Sequence, residues 1–287
     1  MIRLTRRLTF SAAHADWLFA LSRAENVARF GPHADPEPHG HNFVLEVTIG
    51  GEIDLKLGIV VNIKDIDRIV KTYILQILDR KFINRQVPAF CEQPVTSENL
   101  LTFIAAELKP HLPAVATLLG LRLEETPLQW VEWQASPEND LAKESGPMQL
   151  TRVYEFAASH RLHSPHLSDE ENRELFGKCN YPHGHGHNYL LEVTVAGPTD
   201  PHSGRVIDPD VLDAIVLREI VDRYDHRHLN YDIPELEGLI PSTEVVTKAI
   251  WQRLHDQIPA PARLRRIVVR ETARNFFEYQ GEDEPVE

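Results

Sequence analysis

His185-Gly186-His187-Asn188-Tyr189-Leu190-Leu191-Glu192-Val193-Thr194-Val195 is the stretch on which the fold turns. It opens on a His-x-His pair. It then places Tyr189, Leu191, Val193 and Val195 on one side, the period-two pattern of a strand with an apolar face. The same stretch occurs 146 residues earlier as His39-Gly40-His41-Asn42-Phe43-Val44-Leu45-Glu46-Val47-Thr48-Ile49. Working outward, the offset persists. Phe10 falls on Phe156, His14 on His160, Phe30-Gly31 on Phe176-Gly177, Asp79 on Asp225, Asn84 on Asn230, Glu98 on Glu244 and Glu125-Thr126 on Glu271-Thr272. A fixed offset without a gap over that span marks an internal duplication. The reading is two domains, 1–134 and 149–287, joined by a linker at 135–148 rich in Ser, Pro, Asn, Asp and Gly.

Each copy has one predicted order. An opening strand (Leu4–Phe10; Thr151–Ala157) runs to a histidine, a polar loop follows, and the His-x-His strand comes next. A helix is predicted from the apolar stripe Val211-Leu212, Ile215-Val216 and Ile220. Thr96-Ser97-Glu98 and Ser242-Thr243-Glu244 read as the start of another helix, with a capping hydroxyl and an early carboxylate. A last strand (Leu118–Glu124; Leu264–Arg270) and a return at Phe276–Tyr279 complete an α+β domain, an antiparallel sheet with two helices on one face.

The chain of 287 residues carries a net charge of −13, which argues against a nucleic-acid partner. No run of 18 apolar residues and no charged-then-apolar leader is found, so the expectation is a cytoplasmic protein with no membrane span. Two separated cysteines, Cys91 and Cys179, make no disulfide framework.

His185 and His187, at i and i+2 of a strand, share a face, and His160 ends the neighbouring strand. Three imidazoles with a fourth position open make a catalytic zinc arrangement. His14, His39 and His41 form the same set in the first copy and are a second candidate site. His163, His166, His183 and His202 have no histidine at the repeat offset and read as loop residues.

With these motifs in hand, the second copy resembles the 6-pyruvoyl-tetrahydropterin synthase family, which includes the 6-carboxytetrahydropterin synthases of 7-deazaguanine (queuosine) synthesis. The resemblance rests on Phe156-Ala157-Ala158-Ser159-His160, on Leu175 to Tyr189, on Tyr224-Asp225-His226-Arg227-His228-Leu229-Asn230, on Pro241-Ser242-Thr243-Glu244 and on Arg270-Glu271-Thr272. It implies the tunnelling fold, four-stranded sheets joined edge to edge into a barrel with active sites between subunits. It further implies zinc on His160, His185 and His187, Cys179 as catalytic thiol, Asp225 and His226 as its relay, and Glu271, Ser242 and Thr243 as the pterin-binding residues. Cys91 matches no motif and is expected to be structural.

The implied substrate is 7,8-dihydroneopterin triphosphate. The expected product is 6-carboxy-5,6,7,8-tetrahydropterin; the alternatives are 6-pyruvoyl-tetrahydropterin, formed with loss of triphosphate, and a non-catalytic pterin-binding protein. In the first copy, His33 replaces the thiol and Arg80 the relay histidine. That copy is read as having lost the standard reaction, leaving it as a structural partner, a pterin- or phosphate-binding regulatory site, or a site of altered chemistry. Rings of like halves would bring every Cys179 to an Asp225–His226 pair of the next chain, so the expected assembly is a homotrimer of tandem chains.

Overall fold

The protein is described from a computed structural model over residues 1–135 and 147–281. Most of the expected linker, 135–148, lies outside the described residues. The chain divides into two compact units: Met1–Leu150 with Gly197–Ile207, and Thr151–Ala196 with Asp208–Glu287.

The first unit is built on β1 (Ile2–His14), β2 (His39–Gly51), β3 (Thr117–Thr126) and β4 (Gln129–Gln134), which pair antiparallel in that order. The register sets His14 opposite His39 and Ala12 opposite His41. Phe43, Leu45, Val47 and Ile49 on β2 are buried, as the alternation requires. The second unit repeats the plan with β5 (Met148–His160), β6 (His185–Gly197), β7 (Arg263–Arg270) and β8 (Phe276–Tyr279). On β6 the alternate positions Glu192 and Thr194 are buried as well. Arg270 pairs with Glu192 at 2.6 Å, and the hydroxyls of Thr151 and Thr194 lie 2.8 Å apart, so neither buried polar group is left unmatched.

The opening strands run past their predicted ends, and the polar loops that follow them are not wholly loops. Each holds a two-turn helix, α1 (Arg23–Phe30) and α4 (Asp169–Phe176), in addition to the two longer helices expected in each domain. The cause is a reciprocal cap: Ser22 with Glu25, and Ser168 with Glu171, satisfy the first free backbone donors. Buried Asn172 then ties the loop to the helix, accepting from the Ser164 N–H at 2.7 Å and donating to the Ser164 carbonyl at 2.9 Å. Each helix ends on a left-handed glycine, Gly31 or Gly177, which turns the chain into the short 3-10 segment that carries His33 or Cys179.

The predicted stripe helix is α2 (Ile63–Val70) in the first unit and α5 (Pro209–Val216) in the second. Both run on through a π-helical turn, Lys71–Leu75 and Leu217–Val221, and stop at Asp79 and Asp225. The next residues, Arg80 and His226, both have φ 56°, in the left-handed region that side chains with a Cβ rarely enter. Their N–H groups donate to the Ser11 and Ala157 carbonyls, each at 2.6 Å, which fixes the corner against the opening strand. The helices predicted at Thr96 and Ser242 are α3 (Ser97–Leu108) and α6 (Thr243–Leu254).

Candidate active site

The end of β5 and the start of β6 bring His160, His185 and His187 together, with ring centroids 4.7, 5.3 and 4.8 Å apart. One nitrogen of each ring lies within 4.8 Å of those of the other two. Gly184 makes this approach feasible: it sits at φ 71°, and a Cβ there would come within 2.6 Å of the His160 carbonyl. His160 Nδ1 is 2.8 Å from the Pro241 carbonyl. A carbonyl can only accept, so Nδ1 holds the proton and the Nε2 lone pair is free. His160 Nε2, His185 Nδ1 and His187 Nε2 are all buried with no hydrogen-bond partner. Three buried, converging lone pairs with one ring oriented by an outer carbonyl are what a divalent metal requires. Burial pushes the His160 and His185 rings below their ordinary values, toward the neutral ligand form.

The first unit builds the same cluster from His14, His39 and His41, with His14 Nδ1 held at 3.0 Å by the Val95 carbonyl. Here Glu125 joins as a fourth donor, which the sequence reading had not assigned to the metal. Its Oε1 is 3.2 Å from His41 Nε2. Glu271, its counterpart, stands a little further off, 3.6 Å from His160 Nε2 and 3.7 Å from His187 Nε2. Thr243 Oγ1 donates to Glu271 Oε1 at 2.8 Å, as Ser97 Oγ does to Glu125 Oε2 at 2.7 Å. Ser242 makes no side-chain cap bond to its helix.

Cys179 is held by the Leu162 N–H, which donates to its carbonyl at 2.9 Å. Burial, and then the Glu271 charge, push the thiol above its ordinary value. Tyr189 lies under the same region. Its ring stacks on Phe156 at 5.0 Å, and its buried hydroxyl has no partner. Burial, then the charges of Glu271 and Cys179, raise its pKa.

Asp225 and His226 form a pair of their own. Asp225 Oδ1 accepts the Ala157 N–H at 2.7 Å, and Oδ2 accepts from His226 Nδ1 at 2.7 Å. Among the described residues no hydrogen bond or ion pair joins them to Cys179. His226 borders a cleft of about 790 Å3 lined also by Ala158, Ser159, His187 and Asn188, whose lining includes neither Cys179 nor Glu271. The first unit has the matching cleft, about 430 Å3, with Arg80 at the place of His226.

Of the remaining histidines, His166, His183 and His202 are exposed and His163 is half-buried. His163 Nδ1 accepts from Asn180 Nδ2 at 3.1 Å. Cys91, which matches no motif, is exposed and follows a short 3-10 segment.

The sequence profile of the family described as 6-pyruvoyl tetrahydropterin synthase matches residues 3–136 and again 149–282. The chain belongs to this family, twice over. The 6-pyruvoyl tetrahydrobiopterin synthase of Homo sapiens is 43% identical to it over 134 residues, 47% of this chain and 92% of the human one. The 6-carboxy-5,6,7,8-tetrahydropterin synthase of Bacillus subtilis is 32% identical over 114 residues, 38% of this chain and 74% of the other. The solved 6-pyruvoyl tetrahydropterin synthase of Caenorhabditis elegans aligns with a TM-score of 0.46 at 37% identity, over 48% of this chain and 99% of that one. Members of the 6-pyruvoyl tetrahydropterin synthase family are metal-dependent lyases, and no helix among the described residues is long and apolar enough to cross a membrane.

Proposed function

We propose that the chain is a zinc-dependent lyase that acts on 7,8-dihydroneopterin triphosphate at its second copy and releases triphosphate to give 6-pyruvoyl-tetrahydropterin. The observation that carries this reading is the second histidine cluster, with Glu271 beside it, Thr243 bonded to Glu271, and Cys179 close enough to feel the Glu271 charge. The choice of product departs from the 6-carboxy expectation. It rests on the higher identity to the human 6-pyruvoyl tetrahydrobiopterin synthase, 43%, than to the bacterial 6-carboxy enzyme, 32%.

His160, His185 and His187 hold the zinc, which when bound supplies a Lewis acid for the hydroxylated side chain of the substrate. Glu271 offers a two-oxygen acceptor to the amino group and ring N–H of the pterin, and the Thr243 hydroxyl fixes its angle. Cys179 takes the side-chain proton. Its thiol is held up by burial and by Glu271, so it needs a cation at its side to ionise near neutrality. Each copy offers an outward-facing pair for that task, Asp225–His226 in the second and Asp79–Arg80 in the first. The side chains of His226 and Arg80 are 83% and 90% exposed, placed to serve a thiol of a neighbouring copy.

Incubation with dihydroneopterin triphosphate, followed by mass spectrometry and assays for triphosphate and acetaldehyde, tests the reading. Triphosphate with the 6-pyruvoyl mass supports it. Acetaldehyde with the 6-carboxy mass returns the function to the 7-deazaguanine branch. Binding without turnover would leave a pterin-binding protein.

A further inference from the structure

Glu125 and Glu271 are one residue at the repeat offset, yet their carboxylates are held in opposite ways. Glu125 Oε2 accepts from Ser97 Oγ at 2.7 Å and from Gln129 Nε2 at 3.1 Å. Among the described residues its Oε1 accepts no hydrogen bond, and it faces the histidines, 3.2 Å from His41 Nε2 and 3.7 Å from His14 Nε2. In Glu271 it is the histidine-facing Oε1 that accepts, from Thr243 Oγ1 at 2.8 Å. Its Oε2 has only Asn275 Nδ2, at 3.5 Å.

The difference begins in the turns. Thr126 pairs with Gln129 across a two-residue turn, Pro127-Leu128, so Glu125 lies inside a paired strand. Pro127 presets the backbone for that turn. In the second copy Ala273 stands at the proline position, the ladder ends at Arg270 and Phe276, and Glu271 lies beyond it. Gln129 is one methylene longer than Asn275, its counterpart, and closes on the far oxygen of its carboxylate where Asn275 does not.

A bare Oε1 facing bare nitrogens needs an explanation. His14 Nδ1 donates to the Val95 carbonyl, so Nε2 carries a lone pair. Both His14 Nε2 and His41 Nε2 are buried without a hydrogen-bond partner. Lone pairs from a carboxylate and an imidazole repel unless a cation lies between them. In the second copy the Thr243 proton already sits on the oxygen that faces the cluster.

We propose that the first copy holds a closed metal centre in which Glu125, with His14, His39 and His41, is a fourth protein ligand to a divalent ion. Four protein ligands leave no position for water or a substrate oxygen, the arrangement of a structural and not a catalytic zinc. Ser97 and Gln129 act as outer partners that aim Oε1 at the ion. The same four side chains tie β1, β2 and β3 together at one end. With one oxygen on the ion and the other held by two donors, the carboxylate has nothing left to offer a two-point donor such as a pterin edge.

The test reads metal geometry and affinity, so its outcome is independent of the substrate and product assigned to the second copy. The full chain carrying His185→Ala and His187→Ala is produced with cobalt in place of zinc. Its visible spectrum should show the intense bands of tetrahedral cobalt and should not move on addition of azide, a small anionic ligand. In the reciprocal chain, His14→Ala with His39→Ala, azide should shift the bands, because that site keeps an open position. Glu125→Gln in the first background should weaken metal binding about 100-fold or more, at or beyond the range for outer-shell changes, and make the spectrum respond to azide. Gln129→Asn, which writes in the residue of the second copy, should cost roughly 10-fold and leaves the inner set intact. Circular dichroism verifies the fold of each chain. A first site that takes up no metal, a native first site that responds to azide, or a folded Glu125→Gln chain with unchanged affinity and spectrum overturns the proposal.

Discussion

Asp225 Oδ2 lies 2.7 Å from His226 Nδ1, while its Oδ1 accepts the Ala157 N–H at 2.7 Å, so one carboxylate ties an exposed imidazole to the edge of the sheet. The backbone donor and then the imidazole hold Asp225 below the usual carboxylate range. A depressed carboxylate adds stability above its unfolded pKa and loses it as pH falls through the lower folded value. Asp225→Asn should therefore flatten the acid limb of the stability–pH curve, as read by thermal melting between pH 2 and 5.

Arg80 and His226 can be told apart as partners of Cys179. If Arg80 is the cation beside the thiol, Arg80→Ala should lower kcat/KM about 10-fold or more and move its lower pH limit upward, because the thiolate loses its cation. His226→Ala should then cost little. With like halves together the order reverses, and pH–rate profiles of the two variants decide it.

Cys179→Ala should abolish turnover, a loss of about 100-fold or more, with metal content unchanged, since the thiol is read as a base and not a ligand. Cys91→Ala should be close to silent, given its exposure. Metal analysis of the His185→Ala, His187→Ala chain should show the loss of one equivalent relative to the native protein. Retained metal there would remove the assignment.

Burial raises Glu98 from 4.5 to about 7. A carboxyl raised by folding binds more protons folded than unfolded between those values, so stability falls as pH climbs from about 4.5 to about 7 and stays lower above. Glu98→Gln should remove that slope, worth roughly 3 kcal/mol at pH 8. Denaturant titrations at pH 5 and pH 8 measure it.

Tyr189 buries a hydroxyl without a partner, where the first copy has Phe43. Tyr189→Phe should raise stability by about 1 kcal/mol by removing an unsatisfied group. A fall in kcat alongside that gain would show that the hydroxyl is kept for substrate or thiol.

The repeat offset and the His-x-His strand carried most of the site, because period-two alternation fixes which side chains share a face, whatever the rest of the chain does. The two-turn helices were written in Ser22–Glu25 and Ser168–Glu171, but two turns are too short for an apolar stripe to announce them. Glu125 as a metal neighbour was invisible for another reason: its approach to His41 depends on how far β3 runs before it turns, not on any local pattern. The Arg205–Asp16 contact joins residues 189 positions apart, and nothing in either alone names the other.

The left-handed corner at Arg80 and His226 has the same φ and the same 2.6 Å anchor in both copies, although one bears a guanidinium and the other an imidazole. The conformational cost of that corner, on the order of 1–2 kcal/mol, is met by the anchor and owes nothing to the side chain it displays. The corner thus works as an interchangeable mount. Duplication left two mounts in one gene, and a single substitution in either changes what is presented outward without rebuilding the support.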